Sequence, residues 1–115
     1  MTDLFCKKIV NEVMPAVRAV ISENLDKEGM KQREIASLLS VTQPAVVNYA
    51  KGSRGKMVHR IKSNREFMKI VDELTNRILN KEDLVKYTCY ICKKARETQL
   101  IKRSEMEPFI CAKEL

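Results

Sequence analysis

The chain has 115 residues, 44% of them hydrophobic, with 22 Lys and Arg against 15 Asp and Glu, three Gly, three Pro, four Cys, one His and no Trp. That length suits one domain with at most a small appendage, and the scarcity of turn formers and of alternating β-branched residues points to an all-α fold. No stretch approaches the roughly 20 apolar residues of a membrane span, and the start, Met1 to Lys8, has no leader pattern; the expectation is an intracellular, cytoplasmic protein with no membrane partner.

Residues 3–28 place Phe5, Ile9, Val10, Val13, Val17, Val20, Ile21 and Leu25 at helical spacing, interrupted by Pro15. This predicts one kinked helix, or two abutting helices with Pro15 in the first turn of the second, because proline removes a hydrogen bond and clashes with the preceding turn. Asp26-Lys27-Glu28-Gly29 is the stop, with Gly29 as its cap.

Gln32 to Tyr49 reads as two short helices joined by a tight turn, a helix-turn-helix. Ile35, Leu38 and Leu39 share one face of the first helix, and Ala36 is small where a second helix must come close. Ser40-Val41 breaks the period. Thr42 is a good N-cap, and Gln43 and Pro44 fill a first turn where a missing N–H costs nothing. Val46 and Tyr49 return to the core, which leaves Gln43, Val47 and Asn48 outward. Gln and Asn can pair bidentately with adenine and a Val methyl suits the thymine methyl, so this face has the chemistry to read a major groove. The plain alternative is a helical hairpin whose second helix is merely solvated.

Charge distribution bears on that choice. Residues 1–30 hold four bases and five acids, residues 31–62 seven bases and one acid, and residues 63–115 eleven bases and nine acids, so most of the net +7 lies on the motif and its flank. A basic third in an otherwise balanced chain is the footprint of phosphate binding. A lipid surface would call for an amphipathic basic helix with exposed aromatics, which this segment lacks.

Lys51-Gly52-Ser53-Arg54-Gly55-Lys56 reads as a loop in which Lys51, Arg54 and Lys56 suit phosphates, with Arg60 beyond and Gln32 and Thr42 at the helix starts completing the DNA-contact set. Met57 to Lys62 shows no clear pattern, and the lone His59 reads as a surface residue. Ser63 or Asn64 then caps a helix to about Leu79 whose stripe, Phe67, Ile70, Val71, Leu74 and Ile78, must bury within the chain or against a second subunit. Another helical stretch starts at Glu82, and Lys93 to about Glu105 looks helical and mostly polar. The division expected is a DNA-binding domain at 1–62 and a helical dimerisation and cysteine-containing segment at 63–115.

Cys89 and Cys92 form C-x-x-C, a spacing at which two thiolates reach one metal, and Cys6 and Cys111 bring the count to the four that Zn2+ or an iron–sulfur cluster takes. The alternative is that Cys6 and Cys111 are small buried apolar residues and the pair is idle. No carboxylate pair, nucleophile–base set or phosphate loop can be assembled, so no enzyme is expected.

The Gln32 to Tyr49 stretch resembles the helix-turn-helix of phage-repressor and Cro-like regulators, departing at Ser40, where glycine is usual. Together with the Cys6 start, Met14-Pro15-Ala16-Val17-Arg18, Lys51-Gly52-Ser53-Arg54-Gly55 and Tyr90-Ile91-Cys92-Lys93-Lys94-Ala95-Arg96, it resembles an archaeal family of small regulators with a C-terminal cysteine cluster. That resemblance implies sequence-specific binding to double-stranded DNA as a homodimer, with metal or redox sensing through Cys89, Cys92 and Cys111. A helix-turn-helix-shaped protein–protein adaptor is the alternative, and it would not call for the local basic bias.

Overall fold

In the computed structural model, residues 8–51 and 55–101 are described, without the side chains of Ala50 and Lys51. The fold is all-α. Among the described residues six α-helices run α1 Met14–Lys27, α2 Gln32–Leu39, α3 Gln43–Lys51, α4 Lys56–Ser63, α5 Arg65–Leu79 and α6 Thr88–Glu97. A π-helical turn, Ile9–Val13, precedes α1, and a 3-10 turn, Leu84–Tyr87, precedes α6.

The Pro15 interruption resolves as the second of the two forms expected: Pro15 lies in the first turn of α1. The turn before it widens, and the Met14 N–H reaches back five residues to the Ile9 carbonyl. Met14, Val17, Val20, Ile21 and Leu25 bury one face of α1, and the small Ala16, Ala19 and Ser22 bury the side next to it. Such broad burial makes it the central helix, packed against the π-helical turn and against α2, α3, α4 and α5.

Gly29 ends α1 as expected. It takes φ +87°, the Gly29 N–H bonds the Asp26 carbonyl at 2.9 Å, and the Met30 N–H bonds the Leu25 carbonyl at 3.1 Å. This is the six-to-one closure of a Schellman turn, and Met30 packs on the core where that turn places its apolar contact.

The stripe on α5 packs within the chain: Phe67, Val71, Leu74 and Ile78 are buried in the common core and Ile70 is half-buried against it. Of the two partners left open by the sequence, the chain's own helices take the stripe. Asn64 is the cap. Its Oδ1 accepts the Phe67 N–H at 3.1 Å, while its Nδ2 donates to the Thr98 carbonyl at 3.0 Å and ties the start of α5 to the end of α6. From α1, Asn24 Nδ2 donates to Asp72 and Thr75 on α5, each at 3.3 Å. Buried residues from Ile9 to Ile101 form one cluster, so the core does not break at residue 62.

Three local expectations change. Lys56 opens a helix instead of closing a loop, and residues 57–62, which had no assigned pattern, continue that helix with Val58 and Ile61 buried. The stretch from Glu82 begins as a 3-10 turn capped by Asp83, whose Oδ1 accepts the Val85 N–H at 3.0 Å. The helix over Lys93 stops at Glu97, short of Glu105. Thr98 turns its hydroxyl back onto the Lys94 carbonyl at 2.7 Å, Gln99 takes φ +61°, and Leu100 and Ile101 drop into the core.

Candidate nucleic-acid interface

The motif is assembled from two caps and one small contact. On α2, Ile35, Ala36 and Leu39 are buried and Leu38 is half-buried against the core. The helix ends on Ser40, which stands in the left-handed region at φ 57°, ψ 41°. From there the Val41 N–H bonds the Ala36 carbonyl at 3.0 Å and the Ser40 N–H bonds the Ser37 carbonyl at 3.3 Å. This is the same closure that Gly29 makes, here carried by a residue with a Cβ. Thr42 then caps α3, its Oγ1 accepting the Ala45 N–H at 3.3 Å.

α3 lies against α1 and α2, with Val46 buried at 2% exposure and Tyr49 half-buried on the core. Thr42, Gln43 and Pro44 at the start of α3, and Asn48 further along it, are exposed to solvent. Val47 is half-buried, so its methyls are only partly presented. Asn48 and Lys56 border one groove between the first half of α1, the C-terminal half of α3 and the start of α4, with Gly55 and Met57 beside them and Glu12, Pro15 and Ala16 on the far wall. Arg60 is exposed one turn further along α4. Gln32 is exposed but borders a different concavity, with Ser22, Glu23 and Asp26 of α1. Arg54 lies outside the described residues, as does the Lys51 side chain.

Two features escaped the residue-by-residue reading. Lys31 and Arg33 are exposed beside Gln32 at the start of α2, and the regional charge count was the signal that included them. Lys62, counted in the same excess, is drawn to Glu23 on α1 at 2.6 Å. Glu23 also meets Lys27 at 3.5 Å, and the Lys62 hydrogen bond is the main cause that holds its carboxyl below the ordinary value.

The cysteines are divided. Cys89 is exposed and Cys92 is buried at 4% exposure, one turn apart on α6, while Cys6 and Cys111 lie outside the described residues. Among the described residues no three His, Cys, Asp or Glu side chains converge as metal ligands. The pair supplies two thiols of the four that Zn2+ or a cluster takes. No helix among the described residues is long and apolar enough to cross a membrane.

Compared with protein-family models, curated proteins and solved structures, the chain finds no match among them.

Proposed function

We propose that this chain is a sequence-specific DNA-binding protein that acts as a homodimeric transcriptional regulator. The observation that carries the reading is α3: its inner side is buried through Val46, and Gln43, Pro44 and Asn48 stand exposed on a short capped helix. Gln43, on the first turn, would donate to N7-side and accept from N6-side groups of one adenine edge, with Asn48 and the Val47 methyls reading neighbouring positions. Thr42 and Gln32 at the helix starts and Lys56 and Arg60 on α4 would hold phosphates, which fix register and carry no sequence information themselves. Arg54 and Lys51 extend that basic edge in the sequence.

Zn2+ or an iron–sulfur cluster, with Cys89 and Cys92 joined by Cys6 and Cys111, belongs to the same proposal as a sensory or structural element. Its readout is the visible absorption of anaerobically purified protein, where a cluster gives charge-transfer bands and zinc gives none.

The deciding experiment is quantitative binding to a library of single-substitution sites. Gln43→Ala is expected to lose about 1–3 kcal/mol on the preferred site, to leave random-sequence affinity nearly unchanged and to relax preference at one base pair per half-site. Half-sites are expected about one helical turn, roughly 34 Å, or a multiple of it apart. Unchanged preference at every position would remove Gln43 from the reading face. A chain with no salt-dependent DNA affinity at all would instead be the adaptor.

A further inference from the structure

A cavity of about 260 Å³ lies between α1, α2 and α3. It holds the volume of roughly nine water molecules. Its floor is apolar, made by Ala19 of α1, Ile35 of α2 and Val46 of α3, all three buried. Its rim is polar: Ser22, Glu23 and Asp26 follow Ala19 along one face of α1, and Gln32 and Tyr49 close the other side.

We propose that this cavity binds a small organic cation, a single-ring amine whose ring rests on the apolar floor and whose ammonium meets Asp26. Three observations carry this. Among the described residues no lysine or arginine borders the cavity, although the chain carries a net +7. Of its two carboxylates, Glu23 already faces Lys62 at 2.6 Å and Lys27 at 3.5 Å. Asp26 is exposed and has no side-chain partner among the described residues. An apolar pocket with a few convergent polar groups is the ordinary form of a small-molecule site. The rim carboxylates disfavour an anion, and the Tyr49 ring and hydroxyl offer an ammonium both a π-face and an acceptor. The site also shares Val46 and Tyr49 with the helix that carries Gln43 and Asn48.

The test uses the full chain without DNA, so it stands apart from the DNA-binding reading. Benzylamine, benzyl alcohol and benzoate are titrated at matched ionic strength while backbone amide shifts are followed by NMR. Benzylamine is expected to shift Ser22, Ile35, Val46 and Tyr49 saturably, with benzyl alcohol weaker and benzoate without effect. Asp26→Asn, an exposed and nearly isosteric change in the last turn of α1, is expected to weaken benzylamine roughly fivefold, the scale of one solvent-exposed ion pair. Benzyl alcohol binding as tightly as benzylamine, or an Asp26→Asn affinity equal to wild type, would overturn the cation assignment. Absence of a saturable shift at these residues would reduce the cavity to a solvent-filled gap and overturn the site.

Discussion

Ser40 is where the motif asks most of a single residue. An L-residue in the left-handed region costs about 1–2 kcal/mol, partly offset for glycine by the chain entropy that glycine loses on folding. Ser40→Gly is therefore expected to stabilise the protein by roughly 0.5–1 kcal/mol and to raise its melting temperature by a few degrees, whereas Ser40→Ala keeps the strain and gains nothing. Thermal unfolding of the two variants side by side checks this; an equal response would mean that the turn relaxes around the Cβ. Glu23 makes a second demand, electrostatic this time. Its carboxyl titrates below the ordinary 4.5, chiefly because Lys62 holds it in a hydrogen bond. A folded-state value below the unfolded one stabilises at pH above 4.5, and that contribution is lost as the pH falls through the folded value. The part-exposed pair is worth less than about 1 kcal/mol. Lys62→Met is expected to lower stability at pH 7 slightly and to converge with wild type as the pH falls below 4.5 and through the folded-state value of Glu23, read by urea unfolding across that range. Parallel curves would sever the link between Glu23 and acid sensitivity.

Elements with strong ends were legible in the sequence, and those without were not. Gly29, Thr42 and Asn64 each mark a cap that the backbone uses, and the period of Phe67, Val71, Leu74 and Ile78 left no doubt about a helix. α4 has neither signal: Gly55 offers no side-chain cap, and Val58 and Ile61 are its only buried residues among exposed Lys56, His59, Arg60 and Lys62. It is held by packing against α1 and α5, which no local pattern records. The end of α6 was overrun for a related reason. Thr98 and Gln99 stop the helix through a hydroxyl bond and a positive φ on residues that also occur inside helices. Likewise the candidate reading face was legible as residue chemistry, but the pairing of Asn48 with Lys56 at one groove needed α4 to be in place. Asn64 shows what a strong end contributes, since it bonds the Phe67 N–H and also reaches the Thr98 carbonyl at the end of α6. Asn64→Ala is expected to cost about 1–2 kcal/mol for the cap alone, and more with the second bond, so it should exceed the loss from Thr42→Ala at the exposed cap of α3. Asn64→Asp, which keeps the cap and drops the Nδ2 donor, separates the two contributions in chemical denaturation.

At the scale of the molecule, the helices that present α3 and the helix that follows them share one core. α1 is its axis, with α5 lying along it through Asn24, Asp72 and Thr75 and burying its whole stripe. A homodimer therefore needs a surface other than that stripe, because Phe67, Val71, Leu74 and Ile78 are already taken. Leu74 sits at the centre of the packed face with 1% of its surface exposed. Truncating it removes its transfer free energy and leaves a cavity that the surrounding helices close only in part. Leu74→Ala is expected to cost about 2–5 kcal/mol of unfolding free energy, a large share of the stability of a domain this size. Association should be untouched under conditions where the variant stays folded. Chemical denaturation gives the first quantity and sedimentation equilibrium the second. A variant as stable as wild type that moved from dimer to monomer would put the stripe between subunits, and the single core described above would have to be divided.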